Sequence, residues 1–80
     1  MPEIAKTEDE AKALGYRPLN LDIHAFDFQA PELDRERDCL SPNVNVGDWC
    51  FVSKCSKDGK LIVCYCDGAG GCSRCYETDC

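Results

Sequence analysis

The sequence predicts a small cysteine-rich domain stapled by disulfide bridges, with one β-hairpin, a short N-terminal helix and an extended arm. The chain has 80 residues and eight of them are cysteine. A chain of this size buries only about 60% of the surface that its unfolded form exposes, so it usually needs bridges, a metal or a partner subunit. All eight cysteines lie within residues 39–80. We therefore expect a cysteine-free helix and arm over residues 1–38 and a cysteine-rich domain over residues 39–80.

The N-terminal helix is predicted over about residues 8–14. Thr7 and Glu10 have the spacing of a capping box, and acidic residues in the first turn suit the positive end of a helix. Gly15 is a natural stop. A helix of two turns is marginal in water, so it needs contacts with the rest of the protein. We expect two side chains to make them: Leu14 and Tyr16.

An apolar arm follows over residues 19–28, in which apolar and polar residues alternate before the register shifts. The arm has two interpretations: it covers the cysteine domain and completes its core, or it lies on a partner protein. The candidate partner-binding residues are Leu21, Ile23, Phe26 and Phe28. The charged residues 32–38 are expected to be a solvated hinge between the two parts of the chain.

The hairpin is predicted over about residues 49–55 and 60–66, which are rich in β-branched and aromatic residues. The sequence SKDG between them carries an Asp-Gly turn signal. A three-residue loop would place Cys50 opposite Cys66. The glycine-rich residues 67–71 predict a sharp turn after the second strand.

Disulfide bridges are the favoured use of the cysteines, because their number is even and the chain is short. Connectivity stays open, since eight cysteines allow 105 arrangements. The bridging residues would be Cys39, Cys50, Cys55, Cys64, Cys66, Cys72, Cys75 and Cys80. The alternative is a zinc ion or an iron–sulfur cluster, for which the C-x2-C spacing is a common half-site. Its ligands would be Cys64, Cys66, Cys72 and Cys75; otherwise no cofactor is expected.

Composition and charge exclude several classes of function. The net charge is −6, with 15 acidic against 9 basic residues, whereas binding to nucleic acid needs clustered Lys and Arg. No apolar run approaches the roughly 20 residues of a membrane span. The chain has one histidine, and no serine or cysteine has a visible base partner, so we expect no catalytic activity of its own.

Parts of the chain resemble two known families. Residues 50–75, CFVSKCSKDGKLIVCYCDGAGGCSRC, resemble the disulfide-rich core of the methylamine dehydrogenase light chain, a periplasmic bacterial subunit. The second tryptophan of that family is missing, so its quinone chemistry is not carried over. Residues 10–16, EAKALGY, resemble the N-terminal helix of high-potential iron–sulfur proteins, and GDWC resembles their last cluster ligand, although the cysteine order then departs from that family.

Both families are exported, which favours a periplasmic or secreted protein. Disulfides persist in oxidising compartments. The start of the chain lacks the features of a secretory signal, so the alternatives are a removed leader or a cytoplasmic protein. The sequence thus predicts a non-catalytic protein-binding or structural module, such as the small subunit of an exported redox assembly. The alternative is a cytoplasmic zinc or iron–sulfur protein that uses cysteine ligands.

Overall fold

The N-terminal helix begins and ends almost where the sequence predicts. The computed structural model describes residues 4–19 and 33–80 of the chain. Helix α1 spans Glu8–Ala13, and the side-chain oxygen of Thr7 accepts a hydrogen bond from the backbone N–H of Glu10 (3.2 Å). Gly15 has a φ of 82°, a left-handed conformation that ends the helix at no steric cost. Tyr16 packs on the core as expected. Leu14 is 61% exposed, so the expectation that it packs was wrong; the helix buries Ala11 instead.

Five antiparallel strands form one sheet, in the order β1-β5-β4-β3-β2. The strands are β1 (Arg17–Leu19), β2 (Leu33–Glu36), β3 (Trp49–Ser53), β4 (Lys60–Cys66) and β5 (Cys72–Asp79). The predicted fold class, a small disulfide-rich domain with a short helix and a hairpin, is confirmed. Strands β1 and β2 come from the cysteine-free part of the chain, yet they belong to the same sheet as the cysteine-rich part.

Strands β3 and β4 are the predicted hairpin, with a tight turn in which Gly59 has a φ of 75°. The predicted register was wrong along β3, by one residue at Phe51 and by two at Trp49. Trp49 lies opposite Tyr65 and Phe51 lies opposite Cys64, so the register shifts by one residue at Cys50. This shift is a β-bulge, an extra residue on one strand that has no direct partner on the other. Cys50 is therefore not the register partner of Cys66.

The charged residues before the cysteine-rich part form an edge strand rather than a simple hinge. Strand β2 pairs with β3, and Glu36 lies opposite Phe51. Charged side chains are common on edge strands, where they discourage pairing with another chain. Because edge strands tolerate so many polar residues, the composition of residues 33–36 hides their extended structure. Strand β1 forms the other edge of the sheet and contains Pro18. Proline within a sheet is largely confined to such edge positions, so it also hides an extended segment from sequence analysis.

The sheet has two faces of different chemistry, because side chains alternate along each strand. One, the apolar face, packs against the N-terminal segment around Ile4, Ala5 and Ala11. Its residues on the strands are Val52, Leu61, Val63, Tyr65 and Tyr76. The other, the sulfur face, has a buried centre made of Cys50, Cys64, Cys66 and Cys75.

The arm can be followed only at its first residue. Leu19 is half-buried and packs against the sulfur face, which agrees with a covering role at that point. The proposed partner-binding residues Leu21, Ile23, Phe26 and Phe28 lie outside the described residues. Within residues 4–19 and 33–80, the structure contains no helix of the length and apolar character needed to cross a membrane.

Candidate functional site

All eight cysteines take part in disulfide bridges. The four bridges are Cys39–Cys66, Cys50–Cys72, Cys55–Cys80 and Cys64–Cys75. None of the eight is a free thiol. Two bridges, Cys50–Cys72 and Cys64–Cys75, join strands of the sheet to each other. The other two join a loop to β4 and the hairpin loop to the C-terminal residue.

Two of the bridges lie at opposite extremes of exposure. Cys64 and Cys75 face each other across β4 and β5 and are almost completely buried. Cys55 and Cys80 are both exposed, and they tie the end of the hairpin arm to the C-terminus. The backbone N–H of Cys80 also donates to the carbonyl of Gly59 (2.8 Å), which holds the terminus against the hairpin turn.

The other two bridges meet in one group of sulfur atoms, which we call the sulfur cluster: Cys39–Cys66 together with Cys50–Cys72. The Sγ atoms of Cys39, Cys50 and Cys66 all lie within 4.8 Å of one another. Cys66 lies opposite Cys72 in the register of β4 and β5, although each is bonded to a different partner. β-Bulges occur at Cys50 and between Tyr65 and Cys66, and such irregularities often re-aim side chains beside functional sites.

Backbone hydrogen bonds connect the sulfur cluster to the loop between β2 and β3. The carbonyl of Cys50 accepts from the N–H of Arg37 (2.8 Å). The carbonyl of Cys66 accepts from Gly47 (3.0 Å), and its N–H donates to Asp48 (2.9 Å). The two most buried cysteines of the cluster are therefore held in place through both their bridges and their backbones.

The side chain of Arg37 also connects this loop to β3, through two contacts with Trp49. Its guanidinium nitrogens donate to the carbonyl of Trp49 (3.1 and 2.9 Å), and its central carbon lies 4.0 Å from the centre of the Trp49 ring. This is a cation–π contact combined with hydrogen bonds. The arrangement fixes the residue that precedes Cys50.

An open groove of about 480 Å³ runs beside the Cys39–Cys66 bridge. Two apolar side chains on the groove are exposed to solvent, Leu40 by 77% and Val46 by 71%. The residues that line the groove are Cys39, Leu40, Ser41, Val44, Val46, Cys66, Asp67, Gly68, Ala69 and Gly70. The groove thus combines an apolar wall, a disulfide and the glycine turn after β4.

The predicted glycine turn is organised by the carboxylate of Asp67. It accepts hydrogen bonds from the backbone N–H groups of Ala69 (2.8 Å) and Gly71 (2.9 Å) and from the hydroxyl of Ser73 (2.6 Å). The bond from Ser73, followed by those from the backbone, holds the pKa of the Asp67 carboxyl below its usual value. Gly70, with a φ of 82°, completes the turn. One wall of the groove is therefore a rigid loop with a fixed negative charge.

Tyrosine hydroxyls form a set of hydrogen bonds on the apolar face that was not predicted from the sequence. Tyr65 donates from its hydroxyl to the carbonyl of Ala5 (2.8 Å), and the N–H of Ala5 donates to the hydroxyl of Tyr16 (3.0 Å). Tyr76 donates to the carboxylate of Glu8 (2.9 Å). Burial raises the pKa of Tyr65, and burial followed by the Glu8 contact raises that of Tyr76, so both hydroxyls stay protonated donors. Their role is to fix the N-terminal segment.

The four proposed metal ligands do not form one group of thiols. Cys64 is bonded to Cys75, whereas Cys66 and Cys72 are bonded to cysteines outside the proposed set. A metal ligand must be a thiolate, so this site would require three bridges to be reduced. The metal alternative stays a prediction, which elemental analysis of the purified native protein would check.

Comparisons with protein-family models, with curated proteins and with solved structures give no match to this chain. The resemblances to the methylamine dehydrogenase light chain and to high-potential iron–sulfur proteins stay predictions.

Proposed function

We propose that this protein is a disulfide-stapled structural module that binds a protein partner in the periplasm or outside the cell. The observation that carries the proposal is the groove beside Cys39–Cys66, with Leu40 and Val46 exposed on it. Exposed apolar patches on small soluble proteins commonly mark interaction surfaces. The resemblance to the methylamine dehydrogenase light chain makes a subunit of an exported redox assembly the first partner to test.

The bridges support this proposal in two ways. Four disulfides in 80 residues are typical of oxidising compartments. Each bridge stabilises a fold by about 2–4 kcal/mol. The cross-links thereby reduce the need for a large apolar core, and apolar residues such as Leu40 can remain on the surface. The arm residues named above would add a second contact area for a partner.

Intact mass spectrometry of the protein from its native source tests the compartment. Four bridges remove eight hydrogens, so the mass under non-reducing conditions should lie about 8 Da below that of the all-thiol chain. The same sample after reduction is the control, and its mass should rise by that amount. Eight alkylatable thiols in freshly isolated native protein would contradict export to an oxidising compartment.

Paired surface variants test the binding surface. Leu40→Asp combined with Val46→Asp places charge on the groove without touching a buried residue, and Leu14→Asp makes the same kind of change at an exposed site on the helix. Immobilised wild-type protein and the Leu14 variant should retain the same partner from an extract of the oxidising compartment, and the groove variant should lose it. A partner that binds all three proteins equally would refute the groove as the binding surface.

A further inference from the structure

Each of the two bridges of the sulfur cluster joins a half-buried cysteine to a completely buried one. In the first bridge Cys39 is half-buried and Cys66 is 2% exposed. In the second, Cys72 is half-buried and Cys50 is 1% exposed. The buried ends adjoin, because the Cys50 and Cys66 Sγ atoms lie within 4.8 Å of each other. The bridges therefore form a continuous series of four sulfurs with an accessible residue at each end.

Adjacent bridges can exchange partners only if a thiolate reaches the sulfur of the neighbouring bridge. Exchange proceeds by attack of a thiolate on a disulfide sulfur, through a mixed disulfide. The Sγ of Cys50 lies within 4.8 Å of both sulfurs of the Cys39–Cys66 bridge. A small displacement would bring it into contact with either sulfur. Within the described residues, this group contains no sulfur of Cys55–Cys80 or Cys64–Cys75, which makes those bridges suitable controls.

We propose that Cys39–Cys66 and Cys50–Cys72 are a thiol–disulfide exchange pair that oxidises an external dithiol entering from the groove. The groove is lined by both sulfur-bearing residues of the first bridge, so this bridge is the one that a thiol in solution meets there. This activity goes beyond the binding function proposed above and is tested without any protein partner.

The first half of the exchange reduces Cys39–Cys66, which is called the outer bridge because it lines the groove, whereas Cys50–Cys72 is called the inner bridge. One thiolate of the dithiol attacks the Sγ of Cys39, forms a mixed disulfide and releases the Cys66 thiolate. The second thiolate of the dithiol then displaces Cys39, so the dithiol leaves as a disulfide. Two electrons now reside on the thiols of Cys39 and Cys66.

The second half passes those electrons inward. The Cys66 thiolate attacks the Sγ of Cys50 and releases the Cys72 thiolate. The Cys39 thiolate then attacks the Sγ of Cys66, which restores the outer bridge and releases Cys50 as a thiolate. The net change is oxidation of one dithiol and reduction of Cys50–Cys72, with both electrons accounted for.

A variant with a trapped thiol tests the contact between the bridges. Cys72→Ser leaves Cys50 without its partner, and its thiolate should attack the neighbouring bridge. After acid quenching, alkylation and peptide mapping, a substantial share of the free thiol should be found at Cys39 or Cys66. In the control Cys55→Ser, the free thiol should stay at Cys80. Free thiol found only at Cys50 in a folded Cys72→Ser protein would overturn the proposal.

A kinetic experiment keeps the proposal testable if that variant does not fold. Dithiothreitol reduces the oxidised protein, and quenched samples report how fast thiols appear at Cys50 and Cys72. In Cys39→Ser/Cys66→Ser dithiothreitol can reach Cys50–Cys72 only through the half-buried Cys72, so thiols at Cys50 and Cys72 should appear several-fold more slowly than in wild type. In Cys55→Ser/Cys80→Ser the rate should match wild type. Equal rates in all three proteins, with near-ultraviolet circular dichroism confirming their folds, would overturn the relay.

Discussion

Removing the bridge between Cys55 and Cys80 should destabilise the protein mainly through its unfolded state. Both cysteines are exposed, so replacing them by serine opens no cavity and buries no polar group. The sequence separation is 25, for which the chain-entropy relation gives about 3.5 kcal/mol. The other bridges shorten the effective loop. From Cys55 the chain runs back to Cys50, across its bridge to Cys72 and on to the terminus, a path of about 13 residues, which reduces the expected loss to about 3 kcal/mol.

Equilibrium unfolding of the oxidised protein in guanidinium chloride measures this loss. The double variant Cys55→Ser/Cys80→Ser should lose about 3 kcal/mol of unfolding free energy, and its denaturant slope should rise because the freed chain exposes more surface. Lys57→Ser, an exposed change in the same loop, is the matched control and should stay within about 0.5 kcal/mol of wild type. A loss below about 1 kcal/mol in the double variant would refute the entropic account.

Three further changes test the N-terminal segment and the glycine turn. Tyr65→Phe removes the hydroxyl that donates to the buried carbonyl of Ala5 and should cost about 1–2 kcal/mol in denaturant unfolding; an unchanged midpoint would contradict this. Since the pKa of Asp67 is lowered on folding, its carboxylate adds stability above its ordinary pKa of 3.8 and loses it as pH falls through the lowered value. Asp67→Asn should therefore weaken the dependence of the melting temperature on pH in that acidic window, and an unaltered profile would argue against it. Gly70→Ala forces a φ of 82° on a residue with a side chain and should lower the free energy of unfolding by about 1–2 kcal/mol. The exposed side chain of Leu40 can turn away from the new Cβ, so the cost comes from the backbone. Thermal stability equal to that of wild type would count against this strain.

The elements that the sequence predicted well are those with a local physical signal. Thr7 specifies the start of the helix, because its side-chain oxygen accepts a hydrogen bond from the backbone N–H of Glu10 within one turn. The Asp-Gly turn before Lys60 joins two strands that are adjacent in the chain. Such features depend on neighbouring residues only, so a pattern in the sequence is sufficient to find them.

The features that the sequence did not reveal depend on distant contacts. The bulge at Cys50 arises where β3 meets both β4 and the backbone of Arg37, and no local pattern marks it. The pairing of Phe51 with Cys64 already places Cys50 out of line with Cys66, and the bulge leaves Cys50 without a direct partner on β4. The bulge also places Phe51 on the same face of the sheet as Cys50. Connectivity of the bridges could not be predicted for the same reason, because it requires the register of three strands and the course of the loop.

The division between the two faces of the sheet explains how so short a chain supports a surface with exposed apolar residues. On the apolar face, Tyr65 and its neighbours are covered by the chain's own N-terminal segment, and stability there comes from burial and from tyrosine hydrogen bonds.

On the sulfur face, covalent bonds take the place of a thick apolar layer. A bridge constrains the unfolded chain however little apolar area it buries, so residues beside it, such as Leu40, need not turn inward. The same concentration of bridges brings Cys39, Cys50 and Cys66 close enough for exchange. The cross-linking that stabilises this face thus also gives it the means to react with an external thiol, and the two roles can be separated by variants at the remote Cys55–Cys80 bridge.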